Sequence, residues 1–479
     1  MPKRFITCIL FLFPAILWAQ STPAQQVKTF SPDELKSDFG VLQTALEDIH
    51  PSLYTFVSPD SLKLYAESAI QAFSGEQDEL AFHFVVRKYL QNIRCGHTVA
   101  IPSDAWYNHV RKVARLLPFH IFLHKDRIYI REAYATDSLL QPGVEILSIN
   151  QHPAPEILAS MRSMHEMDGY STTFPDSKIE RTFSTYFLFL YGIHKSYSLE
   201  LLDQNQQTHT LQVKGGGSNA YPLPFSMDRE PDLSMRDARF YLPVDHSEIA
   251  ILDINSFYRS GYKQFYKSVF ELCANHNTQH LVLDLRGNGG GYFPNGHRLL
   301  RYFLSEDFSM DFSRRRNKVR KRPGLNAGSS FKMTQFLFGL NPDRDKSDPA
   351  RNHSIRYKPF RKNHFGGQLY ILTDGATFSM GSLVTAKLKH NRSCKIIGKE
   401  TGGGENGSNA ILNYLLTLPH TGVKVIVPRY FLDHKVEPAE VGRGVIPDVP
   451  VSYSLEEILS ETDKEMLEVE RLVKEWNGR

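Results

Sequence analysis

Ser379 stands where an apolar strand-like run, QLYILTD (368–374), gives way to a helix-like run, SLVTAKLKH (382–390). A serine hydroxyl is a weak nucleophile at neutral pH. It attacks a carbonyl only with a base within hydrogen-bond reach and with donors aimed at the oxyanion that forms. A strand-to-helix joint meets the second need, because the first N–H groups of a helix lack partners and attract negative charge. Met380 N–H is therefore an expected donor. A second donor must come from another segment, and LVLDLRGNGGG (281–291) offers one. It reads as a buried strand ending in glycines that permit close backbone approach. Loops at the C-terminal ends of neighbouring parallel strands meet at one edge, which makes Gly290 N–H the expected second donor. Taken singly, TFSMGS is a small-residue turn with a capping serine and the glycine run is a tight turn. Both together, in order, point to nucleophilic acyl transfer.

These segments need a scaffold. EIAILDINSF (248–257), FYKSVFELCANHN (265–277), QHLVLDLRGNGGG, HRLLRYFLS (297–305), QLYILTD and CKIIGKETGGG (394–404) alternate short apolar β runs with helical ones. That alternation predicts an α/β core with parallel strand pairs. TLPHTGVKVIVPRY (417–430) reads as an appended hairpin. Lys387, Lys389 and Lys395 are expected to extend their stems over the surface. Ahead of the core, residues 27–94 read as three amphipathic helices, the first capped by Ser31. Residues 110–215 read as β-rich, with a hairpin turning at His124–Asp126, a glycine-led strand in QPGVEILSIN (141–150), a helix after it and a second hairpin over 194–215. Residues 306–366 interrupt the core. This stretch is polar and carries RRRNKVRKR (314–322), in which seven of nine residues are basic. No aromatic interleaving accompanies the run, so it reads as a solvated loop near the site and not as a nucleic-acid surface.

The pattern as a whole resembles the C-terminal processing peptidases and tricorn-core serine peptidases. LVLDLRGNGGG resembles their Asp-x-Arg-x-Asn-x-Gly-Gly loop, TDGATFSMGS their nucleophile turn, KIIGKETGGG the strand and glycine loop downstream, and VGRGVIPDVPV (441–451) their closing segment. QPGVEILSIN resembles the glycine-led strand of a PDZ domain. The resemblance spans roughly residues 30–455. It implies a ClpP/crotonase-like α/β core with a PDZ-like domain and a helical cap, and a serine endopeptidase that needs no cofactor or metal.

The family activates its serine in two ways. The processing branch uses a lysine in the downstream glycine loop, where this chain has Gly404, and Lys399 falls earlier, at the strand end. The tricorn-like branch uses a histidine, and CGHT (95–98) resembles its Gly-His-Thr segment. The resemblance thus implies His97 as the base, apt at neutral pH with an ordinary pKa of about 6.5. It also implies a supporting glutamate near the closing segment, Glu440 or Glu437, with Glu440 preferred. The usual acid position beside the first glycine is Val441 here, the acid common three residues after the nucleophile is Ser382, and the residue before Gly-His-Thr is Cys95. Cys95 is expected to be a small buried apolar group.

Composition bounds the rest. The chain has 479 residues, 41% apolar and 23% charged, with a formal net charge of +4, which suits a globular protein and says little about partners. MPKRF followed by ITCILFLFPAILWA reads as a signal peptide cleaved after Ala19, its apolar run too short to span a bilayer. Export to the periplasm or beyond is expected, with no stable membrane insertion afterwards. The remaining Cys95, Cys273 and Cys394 form neither a disulfide framework nor a metal pattern. The domain expectation is a signal peptide (1–19), a helical cap (27–94), a PDZ-like domain (110–215), a peptidase core (95–109 and 240–455, with insertion 306–366) and a C-terminal helix (456–479). The expected partner is a peptide or unfolded protein. Two other readings use the same residues: a non-catalytic peptide binder, and a serine hydrolase for non-peptide substrates.

Overall fold

The computed structural model describes residues 28–135, 137–216, 229–243, 248–314, 319–327 and 353–478. The proposed signal peptide and residues 315–318 of the basic run lie outside them.

Apolar β runs too short and too buried to alternate form the heart of a seven-stranded sheet. Its order is Leu233–Met235, Ala238–Tyr241, Ile249–Ile254, His280–Asp284, Gln368–Thr373, Lys395–Gly398, Val449–Pro450. The last five run parallel. Helices Tyr262–Asn275, Phe293–Phe303 and Met380–Asn391 supply the crossovers. Parallel strands covered by helices are buried, and Ala250, Leu281, Leu283 and Ile371 are fully so. The C-terminal helix Lys464–Asn477 packs Val469 and Val473 against the strand side chains Ile251, Val282 and Leu372. Arg286 pins that end of the chain, donating to Asp284, Asp463 and Glu465 at 2.7–3.3 Å.

A second, antiparallel sheet has the order Leu325–Ala327, Gly407–Thr417, Lys424–Asp433, Phe308–Ser313, His353–Tyr357, with Val99–Ile101 paired to Lys424–Asp433. Two expectations change here. The ends of the 306–366 insertion are strands and not loop, because FSMDFS buries Phe308, Met310 and Phe312 on alternate positions. The helix Met380–Asn391 is not at the surface either: every residue from Met380 to Leu388 is buried. Lys387 consequently donates to the carbonyls of Ser309 (2.9 Å) and Lys435 (3.2 Å), and burial pushes its pKa down to about 8. Lys389 donates to Glu405 and to the Ile446 carbonyl. Lys395 is exposed.

Helices Pro32–Ile49, Pro59–Ala72 and Glu79–Gln91 begin at Ser31, Ser58 and Asp78, whose side chains each accept an N–H of the first turn. Their apolar faces pack with Leu416, Val425 and Val427 of the second sheet. Phe39 sits edge-on to Phe73 and Tyr89, at centroid distances of 5.7 and 4.9 Å. A ring buried in this way contributes roughly 1.5–3 kcal/mol. Arg322, from the basic run, is ion-paired with Asp48 of the first helix.

A third, antiparallel sheet orders Phe119–His124, Arg127–Ala133, Glu145–Ile149, Ser196–Leu202 and Thr208–Lys214. Lys125 and Asp126 take the left-handed conformation that a two-residue hairpin turn needs. Helix Ala154–Met164 follows the third of these strands. A further helix, Thr173–Tyr191, packs on the same core and carries Phe174 toward the nucleophile turn.

Candidate active site

The turn at Ser379 is built by its neighbours. Asp374 Oδ1 accepts the N–H groups of Ala376 and Thr377, both at 2.9 Å, and Thr377 Oγ1 donates to the Leu285 carbonyl at 2.8 Å. An Asp that bends the backbone back onto itself is a local turn device. Ser379 follows with φ 54° and ψ −114° and serves as N-cap of Met380–Asn391. A non-glycine residue held there stores about 1–3 kcal/mol of strain, tolerated where the surroundings over-determine it. No side-chain capping bond holds the Ser379 hydroxyl to its helix.

His97 reaches Ser379 from the other end of the chain. Its Nε2 lies 3.1 Å from Ser379 Oγ. The strand Val99–Ile101 places it by pairing with Lys424–Ile426. Thr98 locks the approach: its hydroxyl lies 3.0 Å from His50 Nε2 and donates to Cys95 Sγ at 3.1 Å. The imidazole stacks on Phe378 at 4.7 Å, and Phe378 stacks on Phe174 at 4.2 Å. Burial, with a smaller push from the Lys178 charge, lowers the His97 pKa to about 4, so the ring is neutral and able to accept a proton.

The acid expected beside His97 is not there. Glu440 and Glu437 are exposed, and neither bonds to the ring. The backbone N–H of Glu440 donates to Glu405 Oε2 at 3.1 Å, which holds this segment on the buried Glu405 and leaves the Glu440 side chain at the surface. Val441 is 63% exposed. Glu405 also accepts from Lys389 and His390 at 3.2 and 3.0 Å.

The two expected oxyanion donors differ. Met380 N–H opens its helix beside the nucleophile. Gly290 lies against the same point: a Cβ there would stand 2.7 Å from Ser379 Cβ and 3.0 Å from Met380 N. Its N–H, however, donates to Asn288 Oδ1 at 2.8 Å and so is turned away from Ser379. Asn288 is fully buried and fixes the loop, its Nδ2 donating to the Ile254 carbonyl at 2.7 Å.

Other expectations are placed as follows. Lys399 is exposed, with its N–H on the Thr373 carbonyl. A Cβ at Gly404 would stand 2.6 Å from the Gly407 carbonyl oxygen, so this loop does not admit a lysine without rearrangement. Ser382 donates to the Thr377 carbonyl at 2.9 Å and braces the turn from below. Cys95 is buried and its thiol is pushed up to about 12, chiefly by burial. Sequence reasoning missed Asp168. It is buried, accepts the Gly96 N–H at 2.7 Å, and is pushed up to about 6 by burial. Its Asp-Gly turn was visible in HEMDGYS, but nothing local pairs it with residue 96. Among the described residues no group of three or more metal-binding side chains occurs, and no helix is long and apolar enough to cross a membrane.

A search of curated protein sequences returns no significant match. Among solved structures, mature CPAF complexed with lactacystin superposes with a TM-score of 0.64 at 17% identity, covering 92% of this chain and 98% of that one. Mature CPAF alone gives 0.64 at 15%, covering 91% and 96%. These likenesses establish a shared fold. The photosystem II D1 C-terminal processing protease gives 0.43 at 14%, covering 90% and 98%. Residues 248–451, which hold both the glycine loop and the nucleophile turn, match the profile described as "Peptidase family S41". Through that region the chain is similar to peptidase family S41, and it is a serine-type peptidase.

Proposed function

We propose that this peptidase is an exported serine endopeptidase that cleaves peptide bonds through an acyl-enzyme on Ser379. The observation that carries the reading is the 3.1 Å approach of His97 Nε2 to Ser379 Oγ on a strained strand-to-helix turn. His97 takes the hydroxyl proton as Oγ attacks the peptide carbonyl, then gives it to the leaving amine. Water hydrolyses the ester by the reverse proton path. Met380 N–H is one oxyanion donor. A second comes from the glycine loop, where Gly290 N–H turns inward once it leaves Asn288 Oδ1. Peptide or unfolded protein is the partner, and no cofactor takes part.

The third sheet with its two helices, residues 110–215, acts as a PDZ-like module that binds or gates substrate. Residues 27–94 act as a helical cap, and residues 95–109 and 240–455 form the ClpP/crotonase-like core, closed by the C-terminal helix. Export rests on the charged and apolar leader at residues 1–19.

The test is intact-mass labelling of the mature protein with a fluorophosphonate, beside Ser379→Ala, His97→Ala and Lys399→Ala. The expected result is one adduct in the wild type and in Lys399→Ala, and none in the other two. Labelling lost in Lys399→Ala but kept in His97→Ala would overturn the assignment of the base. A peptide and ester panel on the unlabelled wild type decides the leaving group.

A further inference from the structure

Two buried polar atoms near the nucleophile have no hydrogen-bond partner among the described residues: His97 Nδ1 and Asp168 Oδ2. They belong to segments held together through one peptide group. Asp168 Oδ1 accepts the N–H of Gly96, the residue before His97, at 2.7 Å. The next amide, Gly169 N–H, donates to the Arg94 carbonyl at 3.0 Å, and Tyr170 N–H donates to the Gly442 carbonyl at 2.6 Å. The segment that carries Asp168 is thus held at three points, and Asp168 is only 7% exposed. Gly404 N–H, from the loop beside the nucleophile turn, also faces it.

An aspartate is expensive to bury, and each buried oxygen that remains unpaired adds to the cost. A histidine base creates a complementary problem. When it takes the serine proton it becomes a cation, here stacked on Phe378 and near the Lys178 ammonium, which opposes a second positive charge. An imidazolium in such a place needs an anion, and its other nitrogen needs an acceptor that fixes the tautomer. Glu440 and Glu437, the acids suggested by sequence, are exposed and bond to neither ring nitrogen. On the reading of Ser379 as nucleophile and His97 as base, we propose that Asp168 is the positioning acid of His97. Its Oδ2 accepts the Nδ1–H proton, directly after a small ring rotation or through one water. The bond keeps the Nε2 lone pair on Ser379 and holds the imidazolium once formed. No proton passes to Asp168: the hydroxyl proton goes to Nε2, and the Nδ1 proton stays on the ring.

Asp168→Asn is the discriminating variant, because it keeps an oxygen for Gly96 N–H and removes the charge. The expected result is a thermal midpoint close to wild type, an unchanged KM, and a kcat lower by about 10²- to 10⁴-fold. The acid limb of the pH–rate profile moves down, and the downfield proton resonance of His97 Nδ1–H in the phosphonylated protein disappears. A merely structural Asp168 would leave that profile and that resonance in place. Glu440→Gln is measured in parallel. A loss confined to Glu440→Gln, or an Asp168→Asn enzyme with wild-type kcat and pH profile, would overturn the proposal while leaving Ser379 and His97 intact. A wild type that is never labelled would overturn both. Should Asp168→Asn fail to fold, the phosphonylated wild type decides alone: a downfield Nδ1–H proton supports the proposal, and its absence overturns it.

Discussion

One oxygen, Asp374 Oδ1, accepts the N–H of Gly287 at 2.9 Å while it also holds the turn that leads to Ser379. This acceptor joins the nucleophile turn to the glycine loop, beside the bonds from Thr377 Oγ1 to the Leu285 carbonyl and from Phe378 N–H to the Asn288 carbonyl. Asp374→Ala strands three N–H groups in a half-buried place, and a bond to a charged group is worth about 1.5–3 kcal/mol. The expected outcome is a loss of about 3 kcal/mol in urea unfolding, together with loss of fluorophosphonate labelling. Asp374→Asn, which keeps a carbonyl oxygen, is expected to retain the fold and part of the labelling. A stable, fully labelled Asp374→Ala protein would mean that other contacts align the loops.

Gly290 has no room for a side chain. It sits at φ +97°, and the atom its Cβ would meet at 2.7 Å belongs to Ser379 itself. A Cβ contact under 3 Å forces a shift, and here the group that moves is the nucleophile. Gly290→Ala is expected to keep its circular dichroism and lose at least ~10²-fold in acylation rate, the scale of a lost oxyanion donor. Gly289 has nothing within 4 Å of its Cβ position, so Gly289→Ala is expected to be tolerated far better. Equal rates for the two variants would refute the steric argument.

What the sequence disclosed and what it hid have physical reasons. The parallel strands were legible because buried β runs between helices form a short-range pattern. Ser379 and the glycine loop were legible because each carries its turn chemistry locally. His97 was not visible from its surroundings, since its partner lies 282 positions away, and only the likeness of CGHT to a known segment pointed to it. Helix Thr173–Tyr191 went unread because its threonines and aromatics favour strands, and packing on the third sheet's core overrides that preference. The strand Phe308–Ser313 was hidden in a polar stretch although its period of two was present. Lys387 was misplaced because a helix buried all round shows no polar face to warn that its lysines have nowhere to go. The supporting acid was sought beside the closing segment, where Glu405, held in a different contact set, governs the local backbone instead.

Buried histidines give the protein an acid weakness. Burial lowers His83 to about 3 and His434 to about 4 from an ordinary 6.5, and both are fully buried. Each binds its proton more weakly folded than unfolded, so the unfolded chain takes up protons first as pH falls through 6.5. Stability is therefore retained above that value, declines as pH drops toward each folded pKa, and levels only below it. At 1.36 kcal/mol per unit, each of these two residues could cost roughly 3–5 kcal/mol when fully protonated. Their sum is comparable to the 5–15 kcal/mol that holds a typical domain together. His297, lowered to about 4 with most of its ring covered, acts in the same sense. Thermal unfolding followed from pH 7.5 to 4 is thus expected to show a midpoint that falls steeply below 6.5, with unfolding complete before the histidines titrate in the native state. His83→Gln is the check on the cause. Its amide can keep the bond to the Ala100 carbonyl that His83 Nε2 makes at 3.0 Å, and it has no proton to gain. A shallower acid decline in that variant would assign the effect to the buried imidazole, and an unchanged one would assign it to carboxylates.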